Sequence, residues 1–144
     1  YTSIFYKNVA LTNGNVTYGV RRITDNLTVA PDPGSAKVRF LNFLYDAPTV
    51  TPPSLKLTNV GGVTTFFASR SYANLGTGAA APTLFSDFSI LPSGTSDYEL
   101  QTAAGVVLAT QSLTFASKGT YTVIAHGLVS GTGANAPKLT IITH

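Results

Sequence analysis

The chain has 144 residues, of which 44% are hydrophobic and only 10% charged, and it carries a net charge of +3 and no cysteine. This length suits one domain, or one domain with an appendage, and it is enough to bury a core without disulfides. The cations are scattered singly apart from Arg21-Arg22 and no apolar run approaches the roughly 20 residues of a membrane helix, so we expect neither a nucleic-acid partner nor a transmembrane segment.

The N-terminal part of the chain predicts a β-hairpin followed by a connection. Residues 1–8 and 16–23 have a β-type composition, and they flank the strong turn signal Asn13-Gly14-Asn15. Residues 24–35 contain two prolines and a glycine near their end, which is typical of a linker or a long connection. The chain contains no methionine and begins with Tyr1. We therefore expect an exported protein with a processed N-terminus, located outside the cell or on its surface.

The stretch 36–48 (AKVRFLNFLYDAP) predicts the first strand of the main domain. In this stretch Val38 and Phe40 alternate with Lys37 and Arg39, so apolar side chains and cations fall on opposite faces. This period of two predicts a half-buried strand. The strand is expected to end at the Asp-Ala-Pro corner.

The remaining sequence predicts further strands and no helix, because no window shows a helical period with capping signals. Strands spaced about 8–12 residues apart, with turn signals between them, indicate an all-β fold, which we predict to be an antiparallel β-sandwich of immunoglobulin-like or related Greek-key type. The predicted strands are 54–59, 63–68, 85–90, 97–102, 106–115, 120–128 and 138–143, and the long loops are 69–83 and 129–137. The predicted units are an N-terminal hairpin at 1–28, a linker at 29–35 and the sandwich domain at 36–144.

The two ends of the chain resemble each other, which suggests an internal repeat. YTSIF at residues 1–5 matches YTVIA at residues 121–125, and each is followed by a loop with Gly and Asn and by a strand ending in Ile-Thr. The first hairpin would then copy the closing hairpin of the domain, as the end of a preceding repeat. An isolated hairpin is marginal in water. It is therefore expected to pair with its own domain, with the rest of a preceding domain, or with a neighbouring subunit by β-augmentation.

Four short motifs carry a resemblance to a known family: KVRFLN at 37–42, Asp46-Ala47-Pro48, LPSG at 91–94 and GTYTVIAHG at 119–127. Together they resemble domain-of-unknown-function family 4397, whose members are exported bacterial β-domains that often occur in tandem. Members often have Ser-Pro before the Asp-Ala-Pro corner, where this chain has Leu44-Tyr45. The resemblance covers residues 36–144 and implies a sandwich fold and export, but no activity.

The candidate chemical residues lack the arrangements that catalysis or metal binding requires. His126 and His144 have no cysteine or acidic residue at ligand spacing. Asp97 and Glu99 are two residues apart in a predicted strand and so share one face, whereas a glycosidase places its two carboxylates on opposite sides of a bond. No serine lies in a nucleophile elbow. We therefore expect no catalytic site, no cofactor and no metal site, and hence no enzyme.

Weaker signals receive structural interpretations. The Gly76-Thr77-Gly78 segment lacks the lysine and helix of a phosphate loop, and Asp46 suits a turn better than a calcium site. Two glycosylation sequons begin at Asn15 and Asn26. Aromatic residues near predicted loops could stack on sugars, although most are expected in the core. These aromatic residues are Tyr72, Phe85 and Tyr98.

Two functions follow from these patterns. The first is a non-catalytic structural subunit, whose N-terminal hairpin completes a neighbouring copy and so builds a filament or surface array. The alternative is a cell-surface binding or adhesion module that recognises glycan or protein through the loops at 69–83 and 129–137. If the chain self-associates, the contact should depend on residues 1–28. Ligand binding through the loops should not depend on these residues.

Overall fold

The structure is a computed structural model that describes residues 2–7, 18–23, 25, 27, 31–45, 55–72 and 88–144. These residues form strands joined by turns, because β-branched and aromatic side chains alternate with small polar ones through most of the chain. A turn of 3₁₀ helix, Gly133–Asn135, lies between the last two strands. The strands are β1 Thr2–Lys7, β2 Tyr18–Ile23, β3 Ser35–Tyr45, β4 Leu55–Asn59, β5 Thr65–Arg70, β6 Ser89–Pro92, β7 Gly94–Thr102, β8 Val107–Phe115, β9 Thr120–Leu128 and β10 Lys138–Thr143.

The strands form two four-stranded sheets and a separate two-stranded sheet. Sheet I has the order β10-β9-β3-β6, sheet II has the order β5-β4-β7-β8, and β1 pairs with β2. Sheets I and II pack face to face, so the predicted all-β sandwich with an additional N-terminal hairpin is confirmed. One pair departs from the predicted antiparallel arrangement, because β3 and β9 run parallel. The chain passes through the whole of sheet II between these two strands, which provides the long crossover that a parallel pair requires.

The core lies between the inner faces of the two sheets. Phe40 of β3 contacts Phe67 of β5 with ring centroids 5.8 Å apart, and Phe115 of β8 contacts Tyr121 of β9 at 5.1 Å. Each buried side chain of this size contributes roughly 1.5–3 kcal/mol through removal of apolar surface from water. The core therefore depends on contacts between the sheets, and the largest apolar side chains in it are Phe40, Phe67, Phe115, Leu44, Leu55, Leu57, Leu91, Leu100 and Leu113.

At one side of the sandwich, a side chain of sheet II bonds the backbone of an edge strand of sheet I. Gln111 of β8 donates through Nε2 to the Leu139 carbonyl at 2.8 Å, and its Oε1 accepts from the Leu139 backbone N–H at 3.0 Å. These two groups belong to β10, which is the edge strand of sheet I. The amide of Gln111 therefore pairs with backbone groups of β10 as a neighbouring strand would, and it joins the two sheets at this edge.

The predicted elements agree with the structure in most places. All predicted hairpins form, although residues 69 and 70, which were assigned to a loop, belong to β5. The prediction of a half-buried β3 is wrong, because every residue from Val38 to Tyr45 is buried. Side chains on both faces of this strand are covered, one face by sheet II and the other by segments outside the sandwich. The described residues contain no helix that is long and apolar enough to cross a membrane.

Candidate protein-interaction site

The outer face of sheet I carries a second apolar cluster, separate from the core. Alternation along β3 turns Leu41, Phe43 and Tyr45 away from sheet II, and Tyr72 packs over them. The Tyr72 ring meets the Phe43 and Tyr45 rings edge-on, with centroids 6.4 and 6.1 Å apart. Such T-shaped contacts are a favourable arrangement of aromatic rings. We call these four side chains the outer apolar cluster.

The end of the N-terminal hairpin packs onto this cluster. Ile23, the last residue of β2, is only 4% exposed and belongs to the same group of buried side chains. Two residues later Asp25 accepts a hydrogen bond at 2.7 Å from Nη2 of Arg39, on the same outer face of β3. We call Ile23 and Asp25 the plug, since an apolar and an acidic side chain enter the surface together.

Arg39 is the polar centre of the site. Its side chain is fully buried, and besides Asp25 it donates from Nε and Nη2 to the Thr122 hydroxyl of β9, at 3.1 and 2.8 Å. The same hydroxyl lies 2.8 Å from Nε2 of His144. The guanidinium also lies over the Phe88 ring, with Cζ 4.8 Å from the centroid. Cation–π contact and hydrogen bonds together compensate for the loss of water around the charge.

Arg39 stays charged in this cluster, although its burial opposes the charge. Burial lowers its pKa, while the hydrogen bond and charge of Asp25 raise it. An arginine nevertheless stays protonated in proteins. Burial also lowers the pKa of His144, with Asp25 raising it and Arg39 lowering it. The arrangement is a buried ion pair between residues that are 14 positions apart in the chain.

The N-terminal hairpin has the same strand register as the closing hairpin. The sequence match equates Thr2 with Thr122 and Ile23 with Ile142, and the ladders pair Thr2 with Ile23 and Thr122 with Ile142. In the closing hairpin, β9 has β3 as its second neighbour, whereas β1 pairs with β2 alone within the described part of the chain. The far edge of β1 therefore corresponds to the edge of β9 on which β3 lies.

The two predicted acidic neighbours share one face, as expected. Asp97 and Glu99 point outward from β7, because Tyr98 and Leu100 between and after them are buried. Asp97 accepts a hydrogen bond from the Ser112 hydroxyl. Glu99 accepts hydrogen bonds from the Gly61 backbone N–H and the Gln101 amide, at 3.3 and 2.7 Å. Both carboxylates therefore accept hydrogen bonds from groups in sheet II or in the turn beside it.

The two histidines lie apart on sheet I. His126 contacts the Thr140 hydroxyl at 2.8 Å, across the β9–β10 ladder, and burial together with Lys138 lowers its pKa. His144 belongs to the Arg39 cluster. Groups of three or more His, Asp and Glu side chains that could hold a metal ion are absent from the described residues.

Of the aromatic residues near predicted loops, Tyr72 and Tyr98 are buried, so neither is available to stack on a sugar. The loop 129–137 lies tightly against β9. Gly127 has φ +112°, and a Cβ there would collide with the Ala136 carbonyl, so only glycine allows this approach. The loop is a compact turn at this position. Phe85, Asp46, Gly76-Thr77-Gly78, most of the loop 69–83 and both sequon asparagines, Asn15 and Asn26, lie outside the described residues.

Sequence reasoning missed the Arg39 cluster, although one signal was present. The run FLNFLY at 40–45 is apolar at both odd and even positions except for Asn42, which is typical of a strand covered on both faces. That run predicts burial of the neighbouring Arg39 as well. A search of models of known protein families finds no match to this chain, and a search of curated proteins finds no relative.

Proposed function

We propose that this chain is a non-catalytic structural subunit of an extracellular or cell-surface assembly, and that its N-terminal hairpin joins one copy to the next. The observation that carries the proposal is the separate β1–β2 sheet. Within the described residues, neither strand pairs with a strand of the sandwich. A two-stranded hairpin on its own is marginally stable in water and gains order from a neighbour.

The far edge of β1 is a suitable place for such a neighbour. Edge strands present unpaired N–H and C=O groups that another chain can complete. The register shared with the closing hairpin supports this use, because the equivalent edge of β9 accepts a parallel strand. A hairpin that copies part of a sandwich can complete a sandwich-like sheet in another copy.

The chemistry of the surface is compatible with a directional polymer. Only 10% of residues are charged, which limits repulsion between copies. On the β8–β10 side, Gln111 bonds the backbone N–H and carbonyl of Leu139, so these two groups do not pair with another copy. A contact between two different surfaces of identical subunits continues indefinitely unless a rotation closes it. Export, which the resemblance to family 4397 implies, is part of this proposal.

Light scattering and negative-stain microscopy of the full chain test the proposal. We expect filaments or large regular particles whose mass rises with protein concentration. Removal of residues 1–28 should abolish assembly, and circular dichroism should verify that the remaining sandwich is folded. Assembly that persists in the folded deletion variant would contradict the proposal. A full chain that stays dispersed as single copies at all concentrations would also contradict it, and it would favour a binding role for the long loops.

A further inference from the structure

The surface into which the plug packs has the properties of a docking socket. It combines the outer apolar cluster with the buried guanidinium of Arg39, which is 0% exposed. We infer that in the assembly this socket receives Ile23 and Asp25 from a second copy of this chain. The inference rests on the proposed function, and it specifies where the hairpin of one copy meets the sandwich of the next.

The occupant within this chain shows which chemistry the socket accepts. An aliphatic side chain fills the apolar part, and a carboxylate two residues later bonds Arg39 at 2.7 Å. The pair of contacts is selective because an apolar residue alone would leave the guanidinium without its carboxylate, and an acid alone would leave aromatic surface exposed. A second copy carries the same two side chains at the same spacing.

Exchange between copies would replace each contact by an identical one. Within the described residues the hairpin is joined to the sandwich by side chains of the plug rather than by a β-ladder. Leaving one socket and entering another therefore conserves the contacts, which makes exchange of identical elements a low-cost route to association. Six residue steps separate Asp25 from Pro31 at the base of β3, and a chain of that length reaches up to about 20 Å.

The charge of Arg39 favours a filled socket over an empty one. A buried guanidinium that loses its carboxylate partner is destabilised, since little water can replace it. When one copy donates its plug elsewhere, its own socket gains by accepting the plug of another copy. Each subunit then donates once and accepts once, which is the arrangement of a head-to-tail chain.

Along β7 and β8, the outer face of sheet II is built differently. Its hydroxyls and carboxylates bond one another across the β7–β8 ladder, with Thr95 paired to Thr114 and Asp97 to Ser112. Asp97 is exposed and takes its hydrogen bond from a neighbouring strand. It is therefore a matched control carboxylate for Asp25.

Charge exchange between two variants of the full chain tests the inference. D25R places a cation in the plug, and R39D places an anion in the socket, so each variant alone has like charges at the contact. We expect each to lose assembly by light scattering. A 1:1 mixture should regain it, because the plug of D25R fits the socket of R39D and the plug of R39D fits the intact socket of D25R. A mixture that stays as single copies would overturn the inference.

A second measurement removes the dependence on the buried variant R39D, which could fail to fold. D25R keeps an intact socket, so it should accept a wild-type plug without passing on its own, and it should terminate growing chains. Added in equal amount, D25R should lower the mean mass of wild-type assemblies several-fold, whereas D97R should leave it unchanged. An unchanged mass with D25R, or an equal fall with D97R, would overturn the inference.

The result separates this inference from the proposed function. If removal of residues 1–28 abolishes assembly while D25R fails to terminate it, the hairpin contact stands and the socket is wrong. If wild-type chains never assemble, both are wrong.

Discussion

The outer faces of the two sheets differ, although both belong to the same sandwich. The outer face of sheet II is polar, and along β7 and β8 its side chains pair locally across adjacent strands, as Thr95 does with Thr114 at 2.8 Å. The outer face of sheet I is buried at its centre, and Arg39 there pairs with Asp25 from outside the sandwich. A sheet that binds nothing needs only polar side chains on its outer face. A sheet with aromatic side chains and a buried cation on that face requires a cover.

The difference marks the outer face of sheet I as the place to test for the proposed contact. Large apolar side chains on an outer face are costly unless something covers them. In sheet I part of the cover comes from a segment that has no strand pairing to the sandwich within the described residues. Under the exchange that we propose, this cover moves to another copy while the strands of the sandwich keep their pairing. Four substitutions can break or sharpen this contrast, and three of them have a control substitution.

The largest effect is expected at the ion pair. R39L removes the guanidinium and leaves the Asp25 carboxylate, whose side chain is 4% exposed, without that partner. Loss of one member of a buried pair costs about 3–5 kcal/mol of unfolding free energy. D97N, at the exposed carboxylate of sheet II, should cost under about 1 kcal/mol. Urea unfolding of both variants measures the difference, and similar midpoints for R39L and D97N would show that the two outer faces are equivalent.

The next effect concerns the apolar half of the plug. I23A removes a buried aliphatic side chain from the outer apolar cluster, which should lower the unfolding free energy by about 2 kcal/mol, the low end for buried truncations. V20A truncates a residue of the same strand that is 57% exposed, and it should change the unfolding free energy by less than about 0.5 kcal/mol. Thermal unfolding of the two variants makes the comparison. Equal losses would mean that β2 is stabilised by its own ladder rather than by contact with sheet I.

The sequence was sufficient where one face of a strand meets the core. In β7 the spacing of Asp97 and Glu99 correctly predicted that these two side chains share one face. It was insufficient for β3, because Arg39 is covered by residues from three other parts of the chain: Asp25, Phe88 and Thr122. Local alternation contains no information on such contacts. The parallel β3–β9 pair was missed for the same reason, since its partners are 83 residues apart.

A smaller effect is expected at the β8–β10 side, where a side chain rather than a segment closes the sandwich. Q111A removes two hydrogen bonds to the Leu139 backbone, which should cost about 1–2 kcal/mol. Hydrogen exchange at the Leu139 amide should become faster. S112A changes the next residue of β8, whose side chain points outward. It is the control and should leave hydrogen exchange at the Leu139 amide unaffected. Unchanged exchange in Q111A would mean that β10 is protected by β9 alone.

The smallest effect is a pH dependence from the histidines of sheet I. Burial, aided by the charge of Lys138, lowers the pKa of His126 in the folded state below its unfolded value of about 6.5. The unfolded state then binds more protons between these two values, so stability is complete above pH 6.5 and is lost as the pH falls through that window. The pKa of His144 is also lowered by burial, which adds to the loss in the same direction.

H126Q should therefore reduce the loss of stability on acidification. We expect the thermal midpoint of the wild type to fall between pH 7.5 and pH 5 by more than that of H126Q, because glutamine has no proton to bind in this range. The remaining slope in H126Q should decrease further in H126Q/H144Q. Arg39 does not titrate here, so its ion pair keeps its cation throughout the window. If the thermal midpoint falls with pH by the same amount in all three proteins, the pH dependence arises from groups other than His126 and His144.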